Sequence, residues 1–353
     1  MDLLTQLQAL SHIGLQPDGS VTRIAASIDY LAACDLVAEW MEEVGMKVEI
    51  DSHNNVIGTL PGLVENAPPI VIGSHIDTVV GGGKYDGSLG VLAGLEVARR
   101  GPYEHPLKVV AFYDEEVTMD GSKGFVSDRA AGDVALYLEL HVEQGPVLDT
   151  AETPIGIVTG IVGQRRLNVL FKGTANHAGT TPMNMRDDAL VKAGKFIVDI
   201  EKWASMHDGL VATVGVIENK PNRFSIIPNE VNLTVQIRDL DAKVMDYFVE
   251  NLKEKFPNAE FEYAHTSEPC ICDDKVMMLI EFACMNIGLE YKIMPSRASH
   301  DAQNFGTICP VGMIFVPSVG GVSHDGTEHT EPEDLENGCH VLCQTVKAFD
   351  NLG

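Results

Sequence analysis

Apolar positions recur at helical spacing at the start of the chain. Leu3, Leu4, Leu7 and Leu10 mark a first helix, and Leu31, Leu36, Val37, Trp40, Met41 and Val44 a second, which Gly45 ends. The pattern then changes to short apolar runs. Segments 46–50 and 56–60 read as strands around the turn-rich Asp51-Ser52-His53-Asn54-Asn55. Ile70-Val71-Ile72 is a third run, 107–113 a fourth and 134–140 a fifth, with a helical stretch at 87–100 between the third and fourth. Strands that alternate with helices and carry polar residues at their ends predict a mixed, largely parallel α/β sheet with helices on both faces.

From 164 to about 269 the order changes to strand 167–171, helix 187–204, strands 211–218 and 230–238, helix 241–256 and strand 259–264. That is an α+β unit large enough to be its own domain. A helix at 276–287 and a strand at 312–317 then resume the first style. The expected organisation is a discontinuous catalytic domain, 1–162 and 270–353, interrupted by an inserted domain at 163–269.

Charge narrows the partners. Against 51 acidic residues stand 25 basic ones, a formal charge of −26 that repels nucleic acid and anionic membranes, so neither is expected. No run of about 18 apolar residues exists to span a bilayer, and no signal peptide is visible. The seven cysteines are scattered and odd in number, which predicts a reducing, cytoplasmic location and no thiolate zinc site.

The polar strand ends hold the candidate chemistry. His75 and Asp77 follow the third run, Asp86 follows a glycine-rich turn, and Glu115-Glu116 follow the fourth run. His141 closes the fifth, and His324 lies in a flexible loop after 312–317. Each alone reads as an ordinary surface or core residue. Together they bring a His or carboxylate from four strand ends, with Asp86 beside the first, and imidazole plus carboxylate suits zinc, manganese or cobalt. A carboxylate bridging two ions, with two further ligands on each, would form a two-metal hydrolytic centre.

These motifs resemble those of the N-carbamoyl-L-amino-acid hydrolase, β-ureidopropionase and allantoate amidohydrolase family, two-metal amidohydrolases related to aminoacylase and carboxypeptidase G. The resemblance rests on Gly-Ser-His75-Ile-Asp77-Thr-Val, Tyr-Asp86-Gly, Asp-Glu115-Glu116, Glu-Leu-His141-Val-Glu-Gln-Gly-Pro and Gly-Val-Ser-His324. The inserted unit adds Gly163-Gln164-Arg165, Asn176-His177-Ala178-Gly179-Thr180-Thr181-Pro182 and Gln236-Ile237-Arg238-Asp239. It implies an aminopeptidase-like catalytic domain, a lid and dimerisation domain, a homodimer, and two divalent ions per subunit, with nickel a further candidate. Asp86 would bridge them, with His75 and His141 on one ion and Glu116 and His324 on the other. Asp77 would orient His75 through its second ring nitrogen, Glu115 would be the catalytic base, and His177 would stabilise the oxyanion. Gln164 and Arg238 would contact substrate, Arg238 clamping its carboxylate.

The chain departs from the family pattern at three places. Ser225 stands where an Asn is usual, Arg297-Ala298-Ser299 replaces Gly-Ala-Gly, and the segment between Glu116 and His141 is short, with Val117 for a customary Gly. Ser225, Arg297 and Ser299 therefore join the expected substrate contacts. The expected activity is hydrolysis of a linear ureido or amide C–N bond in a small carboxylate-bearing molecule, an N-carbamoyl-L-amino acid or allantoate-like ureido acid. The alternatives are an aminoacylase or dipeptidase acting on N-acyl amino acids, and a catalytically silent ligand-binding homologue, against which the retained base Glu115 argues.

Overall fold

The computed structural model describes residues 1–352. Its contacts divide the chain into two units, one formed by Met1–Ile161 and the residues from Ile271 onward, the other by Val162–Cys270.

The first unit starts with helices α1 (Leu3–Ser11) and α2 (Ile28–Glu43), capped by Asp2 and Ser27, whose side chains accept the N–H groups of Thr5 and Tyr30. It continues through β1 (Lys47–Ile50), β2 (Val56–Leu60), β3 (Ile70–His75), α3 (Ser88–Ala98), β4 (Leu107–Phe112), α4 (Asp120–Ser127), β5 (Leu136–Val142), α5 (Val147–Thr150) and β6 (Ile155–Ile161). The second unit comprises β7 (Gly163–Lys172), α6 (Ala189–Ala204), β8 (Val211–Lys220), β9 (Glu230–Asp239), α7 (Ala242–Lys255) and β10 (Glu260–Ser267). The chain then resumes with β11 (Cys270–Ile271), α8 (Asp274–Ile287), β12 (Tyr291–Ser296), α9 (Ala302–Phe305), β13 (Val311–Val316) and α10 (Pro332–Asp350).

The large sheet runs β1-β2-β4-β3-β5-β13-β6-β11, with β12 also on β6. Its centre is parallel: β3 pairs in parallel with β4 and β5, and β13 with β5. β3, β5 and β13 are buried at every residue, which is why they read as unbroken apolar runs instead of alternating ones. The parallel strands end on one side, so His75, the turn after β4, His141 and the loop after β13 share an edge. That edge is where open α/β sheets place ligands.

In the second unit the four strands are antiparallel, in the order β10-β7-β9-β8. β7 and β9 alternate buried and open positions, and their inner residues, among them Leu167, Val169, Val235 and Ile237, pack with Phe196 of α6 and Phe248 of α7. One face of this sheet is thus covered and the other is not.

Seven elements escape the apolar pattern, three of them, α5, β11 and α9, only two to four residues long. α4 contains Gly121 and Gly124 in only eight residues, and β6 is interrupted by Gly156 and Gly160. β12 carries Lys292 and Pro295, and α10 is amphipathic, opening on Pro332, Glu333 and Asp334. β5 also starts and ends two residues later than the run 134–140 suggests, which puts His141 inside the strand.

Candidate metal centre and active site

His75 is the last residue of β3, and Asp86 immediately precedes Gly87, the residue that opens α3 with a φ of 65°. Both side chains are buried. The His75 Nδ1 lies 3.0 Å from the carbonyl oxygen of Asp77, and the His141 Nδ1 lies 2.8 Å from that of Val142. A carbonyl only accepts, so each Nδ1 carries a hydrogen and each Nε2 faces inward. There His75 Nε2 is 3.6 Å and His141 Nε2 3.2 Å from Asp86 Oδ1.

Asp77 therefore orients His75 through its backbone, not through its carboxylate, which stays 3.7 Å from Nδ1. The carboxylate accepts the backbone N–H groups of Glu115 and Glu116, at 3.3 and 3.2 Å. Asp77 thus ties the end of β3 to the turn after β4. That turn is tight: Asp114 has a φ of 57°, and its carbonyl accepts from Thr118 and Met119. It delivers Glu115 to within 3.7 Å of His75 Nε2 and leaves Glu116 Oε1 accepting the N–H of Val79.

His324 comes from the loop after β13, with a φ of 56° and a half-exposed side chain. Its Nε2 lies 3.4 Å from Asp86 Oδ2 and 3.5 Å from Glu116 Oε2. Asp86 consequently faces one imidazole pair with Oδ1 and a His–Glu pair with Oδ2.

Among the described residues, three groups of side chains come close enough to hold a metal ion: His75-Asp86-His141, Asp86-Glu116-His324 and Glu139-His141-His300. Hydrogen bonds separate them. Glu139 is already satisfied by the hydroxyls of Ser74 and Tyr137 and the N–H of Ala302, and His300 Nε2 lies 2.8 Å from Ser296 Oγ. In the first group, Asp86 Oδ1 and His141 Nε2 are buried and lack a hydrogen-bond partner among the described residues. Buried polar atoms are rarely left so. The first two groups fit divalent cations; the third is closed by its own donors.

The electrostatics agree. Burial works to raise the Asp86 carboxyl, but His141, His324 and His75 together hold it well below its usual range. Burial works to lower the His75 imidazole, yet Glu115 and Asp86 raise it; His141 is raised by Asp86 against the same opposition. A cluster this negative draws positive charge, as protons on the imidazoles or as metal ions that displace them. Burial, aided by Asp301, Glu116 and Asp86, pushes Glu115 well above its usual range, despite the opposing charge of His75. A carboxyl raised in this way holds a proton more readily than a free one, as a group that relays protons must.

The remaining expected residues fall in two places. Arg297 is exposed and Ser299 half-buried, just ahead of His300, whose ring packs edge-on against His141 with centroids 4.5 Å apart. The others lie in the second unit. Gln164 and Arg238 are opposite each other in the β7–β9 register. His177 bridges to Ile226, and the adjacent Ala178 N–H donates to the Ser225 carbonyl. His177 Nδ1 accepts the N–H groups of Gly179 and Thr180, at 3.0 and 3.2 Å, so its hydrogen sits on Nε2.

The structure adds residues that the motifs did not single out. Glu328, buried, accepts the N–H groups of both Tyr85 and Asp86 on Oε1. Gln144 donates from Nε2 to Asp86 Oδ2. Arg23, 1% exposed, donates to the carbonyls of Ile76, Leu10 and Ile13 and to Ser88 Oγ, bracing the segment between His75 and Asp77. Glu328 lies four residues after His324, a proximity that is the one signal the sequence offers for it, whereas Gln144 falls within the Glu-Leu-His141-Val-Glu-Gln-Gly-Pro stretch without a role of its own.

Comparison with known proteins points the same way. The sequence pattern of peptidase family M20/M25/M40 matches residues 71–348. The N-carbamoyl-L-amino acid amidohydrolase of Geobacillus stearothermophilus is 35% identical, over 98% of this chain and 97% of its own. The ureidoglycolate hydrolase of Arabidopsis thaliana is 30% identical over 98% of this chain and 85% of its own. Among solved structures, an amidase of the hydantoinase/carbamoylase family from Burkholderia multivorans superposes with a TM-score of 0.89 at 30% identity, covering 98% of this chain and 97% of that one.

Proposed function

The chain belongs to peptidase family M20/M25/M40, and from that premise we propose that it hydrolyses a linear ureido C–N bond in a small carboxylate-bearing molecule, an N-carbamoyl-L-amino acid or an allantoate-like ureido acid. The observation that carries this reading is the buried face-off of Asp86 Oδ1 and His141 Nε2, without partners, beside a non-ligating Glu115. A site that only stored metal would have no use for the extra carboxyl.

Two divalent ions per subunit, zinc or manganese with cobalt or nickel as substitutes, suit this donor set. His75, His141 and Asp86 Oδ1 would hold one, and Glu116, His324 and Asp86 Oδ2 the other. When bound, such a pair acidifies water and polarises the scissile carbonyl. Glu115 takes a proton from the attacking water and returns it to the leaving nitrogen as the C–N bond breaks. The products are the free amine and a carbamic acid, which falls apart to ammonia and carbon dioxide. His177, with its hydrogen on Nε2, is equipped to donate to the developing oxyanion. Arg238 and Gln164, side by side on the second sheet, would grip the substrate carboxylate. Ser225, Arg297 and Ser299 would shape the carbamoyl pocket.

The inserted unit acts in this reading as a lid and as the seam of a homodimer. β8 lies at the edge of its sheet and exposes Val211, Val216 and Ile217, a surface suited to pairing with a second copy, which could share His177 between subunits. The seven free cysteines accord with a cytoplasmic home.

The test is turnover of the manganese-reconstituted protein on N-carbamoyl amino acids, ureidopropionate, allantoate and N-acyl amino acids. Metal-dependent release of ammonia from a ureido acid is expected. The alternative, an aminoacylase- or dipeptidase-like enzyme, draws on Ser225 and Arg297, which stand where a urea would be recognised; hydrolysis of the acyl substrates alone would establish it. No turnover on either class sinks both.

A further inference from the structure

Gln144 has no part in the chemistry above, yet it is held in an unfavourable conformation at the centre of the site. Its φ is 59°, in the left-handed region that a long side chain adopts only where the surroundings over-determine it. Those surroundings are explicit. Its N–H donates to the buried Ser318 Oγ at 3.0 Å, and the neighbouring Glu143 N–H donates to the Val316 carbonyl at 2.9 Å. The Glu143 carboxylate in turn accepts the N–H groups of Val147 and Leu148, at 2.8 and 2.7 Å. The segment is pinned on both sides of the strained residue.

The consequence is where the amide arrives. Gln144 Nε2 donates to Asp86 Oδ2 at 3.0 Å and lies 3.4 Å from His324 Nε2. A carboxylate only accepts, so the nitrogen must be the atom facing Asp86. The other end, Oε1, is buried and has no hydrogen-bond partner among the described residues. The two oxygens of Asp86 are therefore unequal. Oδ1 meets His75 and His141 and accepts nothing, whereas Oδ2 is held by Gln144 on the side of Glu116 and His324.

We infer that Gln144 is a positioning residue for the outer cation site, the one formed by Asp86 Oδ2, Glu116 and His324. Its amide fixes the rotation of the Asp86 carboxylate and aims Oδ2 at a ligand set whose histidine is half exposed and carried on a loop. The inner set needs no such help, because its two imidazoles are buried and locked by backbone carbonyls. A side chain present only for packing would gain nothing from a strained backbone and an unpartnered amide oxygen. The inference rests on the metal-dependent reading above.

The test uses metal-free full-length protein titrated with Mn²⁺ by calorimetry, alongside thermal unfolding of the same metal-free samples. The variants are Gln144→Met, close in shape but without a donor, and Gln144→Asn, which tolerates positive φ but is too short to reach Asp86. The wild type should bind two ions per chain. Both variants should keep the first ion within about twofold and bind the second about 10–100-fold more weakly, the usual effect of losing a hydrogen bond to a metal ligand. Their metal-free melting temperatures should fall by a few degrees at most, since each loses one hydrogen bond to Asp86 Oδ2. Unchanged binding of both ions, or equal weakening of both sites, overturns the inference and leaves the metal-dependent reading standing. A wild type that binds no Mn²⁺ overturns both.

Discussion

Gly87→Ala separates the cost of a backbone conformation from the cost of displacing a ligand. Gly87 has a φ of 65° and a ψ of −49°, outside the left-handed helical well, where an L-residue loses at least about 1–2 kcal/mol. The new methyl would also lie 2.5 Å from Cγ, Cδ2 and Cε1 of His75, about 0.9 Å inside the 3.4 Å at which ordinary contact begins. His75 cannot swing aside, being 2% exposed and tied through Nδ1 to the Asp77 carbonyl. Overpacking of this kind costs about 1–3 kcal/mol, so the total loss should be at least about 2–5 kcal/mol. Metal ligands must hold their distances within about 0.2 Å, so a shift several times larger should abolish the ion bound by His75, His141 and Asp86. Gly132→Ala is the control, since Gly132 has a φ of 91° but nothing within 4 Å of the added methyl, and should show the backbone cost alone. Urea unfolding of the two metal-free variants and Mn²⁺ titration decide the matter. If Gly87→Ala is as stable as Gly132→Ala and binds its first ion as the wild type does, the close approach is not what shapes this site.

Other substitutions probe other parts of the reasoning. Glu115→Gln should lower turnover by about 10²–10⁴-fold while metal content, read by elemental analysis, stays at the wild-type level. Arg23→Leu leaves the carbonyls of Leu10, Ile13 and Ile76 without their buried donor and should cost about 3 kcal/mol or more, measured by urea unfolding. Burial, with Glu139 nearby, pushes the Asp301 carboxyl from 3.8 up to about 8. Between those values the folded chain keeps a proton that the unfolded chain releases, so this group lowers stability as pH rises from about 4 to about 8 and adds no further change beyond. Asp301→Asn should therefore flatten the fall in metal-free melting temperature across that window; an unchanged slope would show that Asp301 does not carry it.

Much of the architecture was legible because it rests on local signals. The apolar runs of β3, β4 and β13 name themselves, since parallel strands buried on both faces need no alternation. β6 and β12 did not, because glycines break one and a lysine and a proline the other, and both are recruited by their neighbours in the sheet. Four strand ends carrying His or carboxylate likewise point to a metal centre from residue order alone.

What the order of residues alone determined, then, was which side chains arrive at the sheet's edge, because each follows a short apolar run whose burial is a local property. Tertiary structure decided what each does there. The His75 tautomer depends on a carbonyl rather than a carboxylate, and Asp77 serves a turn 38 residues away. Glu328 grips the backbone of Asp86 from 242 residues away, and Gln144 reaches its carboxylate from 58. Hydrogen bonds at such separations exist only once the strands are aligned, since direction and distance, not residue type, make a donor and an acceptor partners.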